Sequence, residues 1–93
     1  MIIHLSIHTP KPGKDTDLIA SMHRFGAAGD GQPGFIDAMT LRDTRSGRLV
    51  GMARWADEAA WRVGVEAMRA AVADDPFDEW EEDATEGFFL EEV

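Results

Sequence analysis

The sequence predicts an α+β domain: a four-stranded antiparallel sheet with two helices packed on one face. Three observations carry this expectation. Four short segments read as strands, most of them alternating side chains with period two. Two longer segments between them repeat apolar residues at helical spacing. Their order along the chain is β-α-β-β-α-β. Ninety-three residues fit one domain, spanning 1–93.

The first strand is expected over residues 2–9, IIHLSIHT. From Ile3 onward it sets Ile3, Leu5 and Ile7 against His4, Ser6 and His8. Pro10, Lys11, Pro12 and Gly13 break it. Asp15 or Thr16 then caps a helix, with Asp17 in its first turn. Leu18, Ile19, Met22, Phe25 and Gly26 form the apolar stripe of that helix. The glycines of GAAGDGQPG end it and make a mobile connection. Residues 35–43, FIDAMTLRD, are the second strand, partly apolar on both faces. DTRSGR is a polar turn, and residues 48–55, RLVGMARW, return as the third strand of a hairpin. Gly51 in its middle predicts a bulge or a close backbone approach.

Asp57 is the expected cap of the second helix, with Glu58 beside it. Trp61, Val65, Met68 and Val72 recur at helical spacing, widened by Ala60, Gly64, Ala67 and Ala71. Asp75-Pro76 starts a short helical turn that faces Phe77 and Trp80 inward. ATEGFFLEEV closes the chain as the fourth strand. Right-handed crossovers in the two halves give the ferredoxin-like arrangement, with both helices on one face of the sheet. The other face is left bare, and the strands are cleanly polar on neither side. A bare apolar face larger than roughly a few hundred Å² marks an interface. The sequence therefore predicts sheet-to-sheet dimerisation.

Composition narrows the function classes. A chain this short buries roughly 60–65% of its unfolded surface, so its stability is marginal without help. It has no cysteine, hence no disulfide, no thiolate nucleophile and no zinc thiolate, which fits a reducing cytoplasm. The first residues lack the pattern of a secretory leader. No apolar run approaches the roughly 20 residues that span a bilayer. The net charge is −9. All nine basic side chains lie in residues 1–69, whereas residues 70–93 carry ten acidic ones and no Lys or Arg. Such a chain repels phosphate backbones, which argues against nucleic acid as a partner. The acidic end reads as a solvated surface.

A set of short motifs, in order, carries a family resemblance. The first strand runs into Lys11-Pro12-Gly13-Lys14; Gln32-Pro33-Gly34-Phe35 opens the second; ARWADEAAW joins the third strand to the second helix. Together they resemble the antibiotic-biosynthesis-monooxygenase-type dimeric α/β barrels, over essentially the whole chain. The resemblance implies a homodimer whose two sheets form a barrel, with a pocket in each subunit between helices and sheet. Some members of that group oxidise aromatic or quinol substrates with molecular oxygen, without flavin or metal; others degrade haem; fold alone does not choose. The haem-degrading pattern wants an Asn on the first strand, where Ser6 stands, and a Trp in the second helix near Gly64. It also wants a later histidine, and residues 65–93 have none. Haem degradation is therefore not expected. The chain also has no Tyr and no Asn, which some oxygenases of this group use to orient a phenol.

The candidate site residues follow. Alternation alone turns Ile3, Leu5 and Ile7 toward the helices and leaves His4, Ser6 and His8 on the open face. The match of Lys11-Pro12-Gly13 to the family's first loop implies the reverse. A histidine facing a pocket can serve as general base, since its unperturbed pKa lies near neutrality. Its structural alternative is a neutral imidazole hydrogen-bonded to backbone or water. Two histidines four apart on a strand stand roughly 13 Å apart, too far to share an ion, so no metal is expected. His23 borders the apolar stripe of the first helix. Trp55 and Trp61 are either core or the wall on which a planar substrate stacks. Met68 is soft enough for either role. Arg54 pairs with Asp37 across the hairpin, or holds a substrate anion.

For an enzyme, these residues point to cofactor-independent oxygenation of a small aromatic or quinol. His8 or His4 would act as base, and Ser6, His23, Arg54, Trp55, Trp61 and Met68 would contact the substrate. The expected partners are a second copy of the chain, the substrate and oxygen. The alternative is a non-catalytic ligand-binding or interaction module of the same fold.

Overall fold

The computed structural model describes residues 1–93. Its elements are β1 (Ile2–His8), α1 (Asp15–Ala27), β2 (Phe35–Arg42), β3 (Leu49–Trp55), α2 (Glu58–Ala71), the single-turn α3 (Phe77–Trp80) and β4 (Glu86–Glu91). The sheet order is β2-β3-β1-β4, with every pairing antiparallel. This is the ferredoxin-like arrangement that the order of patterns predicts, in two layers about 17 Å thick. No helix is long and apolar enough to cross a membrane.

Register decides which side chains share a face, because directly opposed residues of an antiparallel pair point the same way. On the helix side lie Ile2, His4, Ser6 and His8 of β1. Opposite them stand Trp55, Ala53, Gly51 and Leu49 of β3. The open side carries Ile3, Leu5 and Ile7, with Phe88 and Leu90 of β4 and Met39 and Leu41 of β2. Simple alternation thus puts the strand the wrong way round, and the placement implied by the Lys-Pro-Gly loop is the observed one.

That loop latches β1 in place. Gly13 takes φ +78°, a left-handed turn that suits glycine. The turn leads straight into α1, whose first bond runs from Leu18 N–H to Lys14 O. The expected cap at Asp15 or Thr16 is therefore corrected: both lie inside the helix, Lys14 is the cap position, and no side chain caps it. Asp15 and Asp17 favour the first turn through the helix dipole instead. Gly34 has φ +80°, and a Cβ there would stand 2.5 Å from the Ala60 Cβ. Glycine at this point lets the entry to β2 rest on α2. Asp57 caps α2 as expected, accepting from Ala60 N–H at 2.8 Å. The sheet irregularity falls at Phe35–Asp37 on β2 and not at Gly51, which is instead a place of close approach.

The core is divided. Leu18, Met22 and Leu49 form one cluster, with Ile19, Phe77 and Trp80 against it. Ala53, Trp55 and Met68 form the other, supported among others by Phe25, Phe35 and Trp61. Trp55 is fully buried, and α2 fits over it only because residue 64 lacks a side chain. A Cβ at Gly64 would stand 2.5 Å from two carbons of the indole. An indole packed on all sides cannot step aside. Gly64→Ala should therefore lower stability by about 1–3 kcal/mol through overpacking. The loss is expected although alanine is intrinsically the better helix former by about 1 kcal/mol. Urea denaturation checks this, and an unchanged or raised midpoint would show that the indole yields.

Candidate functional site

Between the two core clusters lies a cavity of about 830 Å³, within the range of small-ligand sites. Its floor is the helix-facing row of β1 with Gly51 and Ala53 beside it; Met22 and Phe25 of α1 and Val72 roof it. Phe77, Glu81 and Thr85, from the segment between α2 and β4, wall one end. Of the residues singled out in the sequence, His4, Ser6, His8 and His23 line the cavity, His23 from an exposed position at its rim. Arg54, Trp55, Trp61 and Met68 do not. Trp55 and Met68 are fully buried core. Trp61 stands behind His4 and touches it edge-on. Arg54 lies on the open sheet face in a two-bond ion pair with Asp37, its Nε donating to Oδ1 at 2.7 Å and its Nη2 to Oδ2. That pairing holds the Asp37 carboxyl below the usual carboxylate range.

The two floor histidines have different surroundings. His4 is stacked on Phe89, with centroids 5.0 Å apart and planes 15° from parallel, and meets the edge of Trp61 at 5.6 Å. Burial, and secondarily the Arg69 guanidinium, hold its pKa below the ordinary value. It is a neutral, aromatic surface at pH 7. His8 is built into a hydrogen-bonded chain. Its Nδ1 lies 2.7 Å from Glu81 Oε1, and its Nε2 lies 3.0 Å from Ser6 Oγ. A carboxylate only accepts, so Nδ1 carries a proton, and in the neutral ring this turns the Nε2 lone pair toward the Ser6 hydroxyl. The side chains of His8 and Glu81 are 11% and 6% exposed, so this pair is screened little by water. Thr85 Oγ1 donates to both Glu81 oxygens, at 3.0 and 3.1 Å. Such an arrangement can act as a general base, with the ring nitrogen beside the Ser6 hydroxyl on a ligand-sized cavity.

Glu81 and Thr85 are the residues that sequence reading missed. The acidic end reads as a solvated surface, and for Glu81 that expectation is corrected, since the residue is only 8% exposed. Asp75 is similarly engaged: Ser21, itself buried, donates to it at 2.6 Å, and Arg24 grips both its oxygens. The Ser21 and Arg24 bonds pull the Asp75 pKa down. No local signal separates these two acids from their exposed neighbours. Both are selected by partners more than 50 positions away.

The backbone places the chain among solved structures. Rv0793 from Mycobacterium tuberculosis superposes with a TM-score of 0.83 at 14% identity, covering 99% of this chain and 94% of that one. A cofactor-independent oxygenase from Streptomyces nogalater, SnoaB, gives 0.75 at 18% identity, over 99% and 92% of the two chains. A protein solved as an antibiotic biosynthesis monooxygenase gives 0.79 at 14% identity, over 100% and 99%. The chain shares its fold with the antibiotic-biosynthesis-monooxygenase group. At these identities the likeness is one of fold. No family model matches the sequence, and no curated protein matches it.

The surroundings of His4 set a pH dependence. Its folded-state pKa is lowered, so between that value and its ordinary value of about 6.5 the unfolded chain binds the extra proton. Stability is therefore fully present above about pH 6.5 and falls as the pH drops through that window. Thermal melts from pH 8 to pH 5 should show a steeper loss for the wild type than for His4→Phe, which keeps the stack on Phe89. Equal slopes would show that His4 titrates as in the unfolded chain.

Proposed function

We propose that the protein is a cofactor-independent oxygenase of small, electron-rich aromatic or quinol-type substrates, working as a homodimer in a reducing cytoplasm. The observation that carries the proposal is the Glu81–His8–Ser6 chain on the floor of the cavity. A base of fixed orientation beside an apolar, ligand-sized space is what proton removal from a bound phenol requires. The fold likeness to SnoaB, described as a cofactor-independent oxygenase, supports the same reading.

In this mechanism the substrate lies flat in the cavity, with its ring near the neutral His4–Phe89–Trp61 aromatic cluster. Its phenolic proton passes to His8 Nε2, directly or through the Ser6 hydroxyl. Glu81 stabilises the imidazolium that forms. The resulting anion has carbanion character and gives one electron to molecular oxygen. Recombination forms the carbon–oxygen bond of a peroxide. At a CH₂ centre, return of a proton and loss of water then leave a carbonyl. His8 is the base of choice because Glu81 orients it, whereas His4 has aromatic neighbours and a cation beside it. His23, which lines the cavity at its rim, would contact substrate there.

A second copy is the proposed partner of the open sheet face. Only 12 of 93 residues are buried in the single chain, and Met39, Leu41, Phe88 and Leu90 on that face are 41–50% exposed. Its one central charge pair, Arg54 with Asp37, is already internally bonded, so covering the face strands no ion.

Oxygen uptake with a panel of hydroquinones and anthrones tests the chemistry. His8→Ala should lower turnover by about 10²–10⁴-fold, the usual worth of a positioned base. Glu81→Gln should lower it by a smaller factor while leaving substrate binding in place. Tight ligand binding without any oxygen consumption would instead favour a ligand-binding module. For the dimer, sedimentation equilibrium should give the mass of two chains for the wild type and of one chain for Phe88→Glu. A monomeric wild type would remove the sheet-to-sheet assembly.

A further inference from the structure

Carboxylate, imidazole and hydroxyl stand in the order Glu81, His8, Ser6, with contacts of 2.7 and 3.0 Å. Oxygenation needs only the base. A hydroxyl at the end of such a chain has a further capacity: it can lose its proton to Nε2 as it attacks an electrophile.

The ground around Ser6 is cleared for such an attack. Its two cross-strand neighbours are both glycine, Gly51 on β3 and Gly87 on β4. A Cβ at Gly51 would stand 2.7 Å from Ser6 Oγ and 3.3 Å from the flexible Met22 Cε, and one at Gly87 would meet nothing within 4 Å. The hydroxyl therefore has bare backbone on either side, within the cavity. Glycine weakens a strand interior, and two flanking one serine on the central strand suit close approach by a ligand. Beyond Gly51, Thr40 occupies the same face and also lines the cavity.

We propose that Ser6 is an acyl-accepting nucleophile, with His8 as its general base and Glu81 as the orienting carboxylate, and that it accepts acyl groups from activated aryl esters. The apolar walls formed by Met22, Phe25 and Phe77 suit the aryl leaving group. Ser6 Oγ forms a bond to the carbonyl carbon as its proton moves to His8 Nε2, and the carbonyl π pair moves to oxygen. Collapse breaks the bond to the aryl oxygen, which leaves with the proton from His8. Water, giving a proton to His8, then attacks the acyl carbon. Ser6 Oγ departs and recovers that proton, releasing a carboxylic acid. Nothing is oxidised or reduced, and no oxygen is consumed.

The test uses the full chain under argon, where oxygenation cannot proceed, so its outcome is separate from that of the oxygenase reading. A fluorophosphonate probe should add once per chain with loss of HF, and peptide mapping of the wild-type adduct should place it on Ser6. 4-Nitrophenyl acetate should release a burst of one nitrophenolate per chain. The burst should vanish in Ser6→Ala and slow by about 10²–10⁴-fold in His8→Ala. Gly51→Ala, whose methyl would stand 2.7 Å from the hydroxyl and displace it, should slow labelling as well. Circular dichroism verifies that each variant is folded, and mapping on the wild type needs no variant. Absence of labelling, an adduct on another residue, or a labelling rate indifferent to His8 would overturn the proposal.

Discussion

The bond between Glu81 and His8 joins residues 73 positions apart and organises much of what surrounds it. It does not act alone. Lys11 N–H donates to Trp80 O and Glu82 N–H to Thr9 O, both at 2.8 Å, and the Lys11 ammonium reaches Asp78 O. These contacts fasten the segment after α2 onto the end of β1. With that segment in place, Phe77 and Trp80 complete the Leu18 cluster, the cavity gains its end wall, and β4 enters alongside β1. A hydrogen bond to a charged group contributes about 1.5–3 kcal/mol, a large part of the stability of so small a domain. The group that orients His8 thus also holds the fold together at that end.

A divided core follows from the same geometry. Packing the helices closely over β1 would require small or apolar residues where His4, Ser6 and His8 stand. The chain instead packs at the two ends, around Leu18 and around Trp55, and leaves space between. Each end is tight, as Gly64 under Trp55 and Gly26 close to Ala38 show. The indole N–H groups of Trp55 and Trp61 are buried without partners, a further cost of roughly 1–3 kcal/mol each. A domain with these penalties and few buried residues has little stability to spare in isolation.

Much of the fold was legible because it is written locally. Period-two and helical patterns, Asp57 before α2, and the glycines of the turns act within a few residues. So the element order and topology could be read, while the α1 cap could not: the Gly13 turn delivers a ready backbone to Lys14. The site was legible only in part. His4, Ser6 and His8 announce themselves as a row, but their direction depends on what covers each face, which alternation does not encode. Arg54, Trp55, Trp61 and Met68 are residue types that serve core, ion pair or pocket equally well. Glu81 looks like any member of an acidic run until its distant partner is known.

The direction of β1 is the most telling feature of the chain. In an ordinary two-layer sheet the apolar row meets the helices and the polar row meets water. Here Ile3, Leu5 and Ile7 point away from the helices, and the polar row points toward them. These three apolar side chains are only half-buried, so the single chain forgoes part of the roughly 1.5–3 kcal/mol that full burial of each would contribute. The row extends across the sheet through Phe88, Leu90 and Leu41, so the loss is multiplied and not incidental. Such an inversion is favoured where the outer face meets another apolar surface and the inner polar row has partners. Glu81 and Thr85 supply those partners for His8, and the aromatic cluster shelters His4 as a neutral ring. A second copy on the outer face, as proposed, would supply the remainder, so that assembly and a polar-floored cavity become two consequences of one inverted strand.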